Sequence, residues 1–129
     1  MFGDKYHFLE WAYRSGVNIS PIEVASINSV PYLLLPLLFL LKPSTKIFSI
    51  LFLFNSSLLL SNGMFHIGLA TAQTDYSPGM ITSLFMYIPL YIKSLYLASE
   101  RSLPMKAQIV ITIYGSIAHF LMIWLVNIF

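Results

Sequence analysis

Residues 55–89 of this 129-residue chain read N-S-S-L-L-L-S-N-G-M-F-H-I-G-L-A-T-A-Q-T-D-Y-S-P-G-M-I-T-S-L-F-M-Y-I-P, and this stretch decides the fold. It starts inside an apolar run, crosses a polar hinge and then re-enters an apolar run. On a 3.6-residue helix, one face carries Asn55, Asn62, His66 and Gln73. Because lipid leaves such groups unsatisfied, we predict that this face meets protein or a wet cavity.

The composition is that of an integral membrane protein. The chain is 57% hydrophobic and only 9% charged, with a mean hydropathy of +0.77. A soluble domain carries about 25% charged residues, which cover its surface. The chain has no cysteine, which excludes disulfide, zinc-thiolate and iron–sulfur sites. The net charge of +2 is too small to indicate nucleic acid as a partner, and no signal-peptide pattern is present.

The hydrophobic pattern predicts an all-α, polytopic membrane protein in one domain covering residues 1–129. Four transmembrane helices are expected in a bundle, at about residues 21–41, 47–72, 78–98 and 104–129. Each has roughly the 20 residues that cross a hydrocarbon core of about 30 Å. Residues 1–20 are too polar to span, and their aromatic side chains predict a short amphipathic helix at the interface.

The basic residues predict the orientation. Five of them lie in or beside the two short turns: Lys42, Lys46, Lys93, Arg101 and Lys106. Lys5 and Arg14 lie on the other side, together with most of the acidic residues. The positive-inside rule therefore places the short turns in the cytoplasm and both termini outside. We expect the protein in a cytoplasmic (inner) membrane, with the lipid bilayer as its first partner.

The fourth span carries a second polar stripe, formed by Gln108, Thr112, Ser116 and His119 at helical spacing. Under the predicted topology, His66 and His119 reach the same leaflet. We therefore expect one polar cavity in the outer half of the bundle. The candidate residues for it are Asn62, His66, His119, Glu23 and Asn28.

Small residues beside these stripes predict close helix contacts. They are Gly68 and Ala72 in the second span and Gly115 and Ala118 in the fourth. A simpler interpretation of the polar groups is that they are hydrogen bonds between helices, each worth about 1 kcal/mol.

The chemistry of the cavity leaves two classes of function open. The first is a binding or structural module that holds a partner helix, a lipid or a small hydrophobic ligand. The second is an enzyme in which His66 and His119 bind a metal or transfer a proton on a lipid-like substrate. Zinc or iron suits imidazole and carboxylate ligands. However, no cofactor motif, H-E-x-x-H or E-x-x-H is present, so we favour the non-catalytic module.

The motifs also resemble a family. Asn62-x-x-x-His66 is followed by Tyr76-Ser77-Pro78-Gly79, Thr82 and Pro89, and Ile27-Asn28 follows Trp11 and Pro21. This arrangement is similar to the HXXEE-motif membrane proteins. The resemblance implies a small bacterial integral membrane protein of a family whose function is not established.

The motif that gives the family its name is not intact in this chain. Either His7-Phe8-Leu9-Glu10-Trp11 is a degenerate copy, with Trp11 in place of the second glutamate, or the helix that carries the motif is absent. We expect the second, because an outside N-terminus also suggests a lost helix. A homo-oligomer or a separately encoded helix would then cover the open face of the bundle.

Overall fold

A computed structural model describes residues 10, 13–14, 16, 20–40, 45–74, 76–77 and 79–128. Its helices are α1 (Pro21–Phe39), α2 (Lys46–Gln73), α3 (Met80–Glu100) and α4 (Met105–Ile128). These ranges contain no strand. The all-α prediction is therefore confirmed, and each helix boundary lies within two residues of the expected span.

Within the described ranges, three helices are long and apolar enough to cross a membrane: Lys46–Ala72, Met80–Glu100 and Met105–Leu125. They support an integral membrane protein. A membrane crossing by α1, and with it the count of four spans, stays a prediction. In the expected interfacial helix, Glu10, Tyr13 and Arg14 are helical, and most of the remaining segment lies outside the described residues.

The second helix is the centre of the bundle. Its apolar window is 56% buried, against 17% for the corresponding windows of α3 and α4. Many of its buried side chains are small and polar, among them Ser49, Asn55, Ser56 and Ser57. Small side chains let neighbouring backbones approach closely, which in lipid is a main source of helix association. The polar face of α2 is thus its packing face.

Local signals set the two ends of α2. Thr45 is its N-cap, and the Thr45 hydroxyl accepts a hydrogen bond from the backbone N–H of Phe48 at 3.2 Å. Thr74 ends the helix in the left-handed conformation, with φ of 52°. The N–H of Thr74 donates to the carbonyl of Ala70, which satisfies one of the last carbonyls of the helix.

The charged end of the bundle is formed by the start of α2, the end of α3 and the start of α4. Phe48 stacks on Phe52 with ring centroids 5.5 Å apart, and Leu38 of α1 packs in the same cluster. The guanidinium of Arg101 lies 5.8 Å from the Phe48 ring and donates to the Ser49 hydroxyl at 3.0 Å. These contacts bring α1, α2 and α3 together at this end.

The fourth helix packs against α2 at Gly115. A Cβ atom there would lie 2.6 Å from the Phe54 carbonyl oxygen and 2.8 Å from the Ser57 Cβ, so only glycine fits. One residue further along, the Ser116 hydroxyl accepts from Ser61 at 2.8 Å. The predicted contact at Gly115 is therefore present.

The predicted close contact at Gly68 is wrong. Among the described residues, a Cβ atom at Gly68 would meet nothing within 4 Å, and both Gly68 and Ala72 are exposed. Their face of α2 is turned away from the neighbouring helices. The glycine of α2 that does allow a close approach is Gly63, opposite Ser83 and Tyr87 of α3.

A π-helical segment interrupts the start of α3. It covers Ser83–Tyr87, between a short α-helical turn at Met80–Thr82 and the regular helix Ile88–Glu100. A Cβ atom on Gly63 would lie 2.8 Å from both Cβ and Oγ of Ser83. The wider π turn therefore meets α2 where α2 has no side chain. Such π segments occur frequently at functional sites.

Candidate functional site

The segment that joins α2 to α3, residues 74–79, is called the hinge. His66 lies at the hinge end of the bundle, which is formed by the end of α2 and the start of α3. The Nδ1 atom of His66 is 2.9 Å from the hydroxyl oxygen of Ser77, and Ser77 is fully buried. Gly79 lies against the imidazole: a Cβ atom there would be 3.4 Å from the ring. The His66 ring is thus held between a buried hydroxyl and the backbone of the hinge.

The backbone of the hinge explains why Ser77 reaches His66. Thr74 and Gly79 both adopt the left-handed conformation, with φ of 52° and 96°, so the chain reverses direction within a few residues. The N–H of Met80 donates to the Ser77 carbonyl at 3.1 Å, and that of Ser83 donates to the Gly79 carbonyl at 2.9 Å. These bonds connect the hinge to the first turn of α3 and fix Ser77 beside His66.

A second polar cluster lies one helical turn from His66. The hydroxyls of Tyr32 in α1 and Tyr87 in the π segment are hydrogen-bonded to each other. Tyr87 also has a side-chain hydrogen bond with Asn62. Three helices therefore each contribute one polar side chain to this group, which we call the tyrosine cluster (Tyr32, Asn62 and Tyr87).

His119 lies on the other side of α2, in α4. It is only 2% exposed, and its Nε2 atom is buried without a hydrogen-bond partner among the described residues. The rings of Phe65 and Phe120 meet the imidazole edge-on, with centroids 6.4 Å and 5.4 Å away. Buried polar atoms are nearly always paired, so this nitrogen is an exception that needs an explanation.

The two histidines share an aromatic neighbour. The Phe65 ring is 6.1 Å from the centroid of His66 and 6.4 Å from that of His119. Both histidines therefore belong to the hinge end of the bundle, with Phe65 in contact with each ring.

Comparison with known families identifies the chain. The family described as "Protein of unknown function with HXXEE motif" matches residues 7–94, which is more than half of the chain. The chain belongs to this family. A search of curated proteins and a search of solved structures found no significant match.

Within this HXXEE-family chain, the matched segment includes α1, α2 and the first half of α3. It therefore contains His66, the hinge and the tyrosine cluster, whereas His119 comes after it. The matched segment begins at His7. The resemblance noted from the motifs around Asn62 and Tyr76 is confirmed.

Several of the predicted polar residues pack helices together. The Asn55 amide donates to the Pro31 carbonyl of α1 at 3.3 Å. The Thr112 and Tyr91 hydroxyls are 3.0 Å apart between α4 and α3. Gln108 donates to Ser99 and to the Leu103 carbonyl. Such bonds are typically worth about 0.6 kcal/mol each in a membrane, so these residues are structural.

For the candidate cavity residues predicted from the sequence, the structure describes the side chains of some and not of others. The structure places Asn62 in the tyrosine cluster, and His66 and His119 beside Phe65. Glu23 and Asn28 lie in α1, but their side chains lie outside the described part of the chain. The cavity that would join all five residues stays a prediction.

Three residues of the site, Ser77, Tyr87 and Tyr32, are not among the candidates that the sequence predicts. Within Tyr76-Ser77-Pro78-Gly79, turn formation is enough to explain Ser77 from the sequence, and only the fold brings its hydroxyl to His66. The two tyrosines gave no signal either, because aromatic residues are common in membrane helices. A metal site at His66 and His119 also stays a prediction: the described residues contain no group of three histidine, aspartate or glutamate side chains.

Proposed function

We propose that this HXXEE-family protein is a membrane-embedded binding module for a lipid-like ligand with a hydrogen-bonding head group, and that its site is the hinge end around His66. The observation that carries the proposal is the contact between His66 and Ser77. A buried serine that fixes an imidazole at the end of an apolar helix is typical of a binding site, because the hydrogen bond holds the ring in one orientation.

The tyrosine cluster supports the same location. It places two hydroxyls and an amide one helical turn from His66, within the same set of helices. Hydroxyl, amide and imidazole groups both donate and accept hydrogen bonds, so they suit a neutral or zwitterionic head group. Binding sites in helical membrane proteins are typically built from such polar groups facing the bundle interior.

A second function is favoured by the same contact. A serine hydroxyl 2.9 Å from an imidazole nitrogen is also the arrangement of a nucleophile and its general base. In that role His66 takes the hydroxyl proton while the Ser77 Oγ bonds to an ester carbonyl carbon of a lipid. The imidazolium then returns the proton to the departing alcohol, and water releases the acyl group. This histidine-dependent enzyme is our alternative.

Lipid retention tests the proposal. The purified chain, placed in nanodiscs of phosphatidylethanolamine and phosphatidylglycerol, is expected to retain lipid in native mass spectra, and His66→Ala and Ser77→Ala should each reduce retention. Thr71→Ala is the matched control, since the Thr71 side chain is exposed and, among the described residues, its hydroxyl bonds to the Ile67 carbonyl of its own helix. Equal retention in all three variants would contradict the binding site.

The mass of the retained lipid separates the two functions. An intact lipid in every sample supports the binding module. If the lipid loses one acyl chain in the wild-type protein but not in Ser77→Ala, the result supports the enzyme and contradicts the binding module.

For the orientation, we propose four spans with both termini outside and the short turns in the cytoplasm. The supporting observation is that Lys46, Lys93, Arg101 and Lys106 lie at or near the charged end of the bundle. The homo-oligomer and the separately encoded helix stay predictions, as does the location in a bacterial inner membrane.

Cysteine labelling tests the orientation without background labelling of native residues, because the chain has no cysteine of its own. Ser102→Cys at the charged end should resist a membrane-impermeant maleimide added to intact cells. Thr74→Cys at the hinge end should react, and both positions are exposed in the structure. Both variants should react after the cells are opened. The reverse pattern in intact cells would invert the topology.

A further inference from the structure

Lys93 is a charged residue within a helix that is long and apolar enough to cross a membrane. It lies seven residues before the end of α3 (Met80–Glu100), which is about 10 Å along the helix axis. Lys93 is exposed, whereas the next residue, Ser94, is fully buried and bonded to Ser56 of α2. Because a cation is costly in hydrocarbon, the charge of Lys93 requires a polar or charged group near it.

The ammonium group of Lys93 is directed along α3 towards the charged end of the bundle. It lies 5.1 Å from the centroid of the Tyr96 ring, one helical turn further on. Tyr96 is 55% exposed, and its hydroxyl is hydrogen-bonded to Glu100, the last residue of α3. The carboxylate on this face is therefore bonded to the tyrosine, while the lysine contacts the face of the ring.

The depth of the ammonium group matches that of lipid phosphates. Glu100 ends the helix, and its carboxylate belongs to the aqueous side of the head groups. Tyr96, which carries the ammonium group, lies about 6 Å deeper along the axis. The head-group layer on each side of the hydrocarbon core is about 5–7 Å thick, and tyrosine rings concentrate in it. The Lys93 charge thus lies at the inner border of this layer, where lipid phosphates are the nearest anions.

The same face of α3 becomes apolar beyond Lys93. Pro89 and Phe85 continue it at helical spacing towards the hinge end, and both are exposed. A lipid whose phosphate lies at Lys93 extends its acyl chains in this direction. The face therefore presents a cation and then an apolar surface, in the order in which a phospholipid presents its phosphate and its chains.

The charge of the surrounding surface favours an anionic lipid over a zwitterionic one. At the charged end of the bundle, the described basic side chains outnumber the described acidic one, Glu100, by four to one: Lys46, Lys93, Arg101 and Lys106. A zwitterionic head group has no net charge to balance this excess, whereas an anionic head group does.

We propose that the outer face of α3, formed by Lys93 and Tyr96 with Pro89 and Phe85 below them, binds an anionic phospholipid. The Lys93 ammonium group donates hydrogen bonds to the phosphate oxygens, and the Tyr96 ring holds that group at the depth of the phosphate. This surface lies towards the opposite end of the bundle from His66, so it goes beyond the proposed function.

Lipid binding to the full chain in detergent micelles tests this site. Native mass spectrometry compares the binding of phosphatidylglycerol with that of phosphatidylethanolamine carrying the same acyl chains. We expect a preference for phosphatidylglycerol of about fivefold, the contribution of one lysine near an anionic surface. Lys93→Gln should abolish the preference, and Lys93→Arg should keep it.

Lys106→Gln is the matched control, because it removes an exposed lysine from the first turn of α4 at the same end of the bundle. This variant should keep the preference for phosphatidylglycerol. Equal binding of the two lipids by the wild type, or an equal loss of preference in the two glutamine variants, would overturn the site.

Three further measurements define the ligand and the role of the ring. Tyr96→Leu should weaken the preference and Tyr96→Phe should preserve it, and the reverse result would contradict a role for the ring. Inorganic phosphate should not displace the lipid; displacement would mean that the surface binds a free anion instead. His66→Ala should leave the preference unchanged, so that failure of this site and failure of the ligand site at His66 are observed separately.

Discussion

Replacing Gly115 by alanine is expected to destabilise the bundle more than any other single methyl group added to it. The new Cβ atom would lie 2.6 Å from the Phe54 carbonyl oxygen and 2.8 Å from the Ser57 Cβ of α2. The first of these atoms is backbone, so α4 must move away rather than one side chain rotate. Overpacking of this kind typically costs about 1–3 kcal/mol. The hydrogen bond from Ser61 to Ser116, one residue further on, would be stretched as well.

Gly68→Ala provides the matched control for this prediction. The same methyl group is added, but it meets no atom of the described residues within 4 Å. Alanine also favours a helix over glycine by about 1 kcal/mol, so this variant should be as stable as the wild type or more stable. The measurement is the free energy of unfolding in mixed micelles, followed by circular dichroism during SDS titration. Equal stability of the two variants would show that α4 does not pack on α2 at Gly115.

The contrast between these glycines shows what the sequence could predict about packing. Composition and the length of the apolar runs were enough to predict an all-helical membrane protein, because a run of about 20 apolar residues has few structural alternatives to a membrane-spanning helix. The small residues of α2 were harder to interpret. Gly63 and Gly68 both lie in the same helix near His66, yet of these two only Gly63 faces a neighbouring helix in the part of the chain that the structure describes. Helical spacing shows which residues share a face, but it does not show which faces are covered.

The polar stripe of α2 also predicted a shared face without predicting what that face contacts. Asn55, Asn62 and His66 share one face, as the spacing predicted, but each meets a different partner. Asn55 bonds to α1, Asn62 to Tyr87 in the π segment, and His66 to Ser77 in the hinge. These partners depend on where α1 and α3 lie along α2, which is a tertiary property. The stripe therefore located the region of the site without defining its contacts.

The π segment could not have been predicted from its residues. Ser83-Leu84-Phe85-Met86-Tyr87 has no proline or glycine, and its apolar pattern is that of an ordinary membrane helix. At the wider turn, α3 approaches Gly63, and the Ser83 side chain takes the space that a Cβ atom would fill. The same feature gives α3 a local geometry that directs Tyr87 towards α2, where it meets Asn62.

Gly63→Ala is accordingly expected to disrupt the tyrosine cluster as well as the packing. Its Cβ atom would lie 2.8 Å from the Ser83 Cβ and 3.1 Å from a ring carbon of Tyr87, which forces the π segment away from α2. We expect a loss of about 1–3 kcal/mol of unfolding free energy. Ser83→Gly in the same chain removes the atoms that clash, and it should recover part of that loss.

A double-mutant cycle shows whether the loss of stability in Gly63→Ala arises from the displacement of Tyr87. In the wild-type background, Tyr87→Phe removes the hydroxyl that joins Tyr32 and Asn62, at a cost of about 0.6 kcal/mol and at most about 1.7 kcal/mol. In the Gly63→Ala background the hydroxyl has already been displaced, so the same substitution should cost nothing. An unchanged cost in both backgrounds would mean that Tyr87 keeps its partners without the close approach at Gly63. The π segment would then not be what positions Tyr87 in the site.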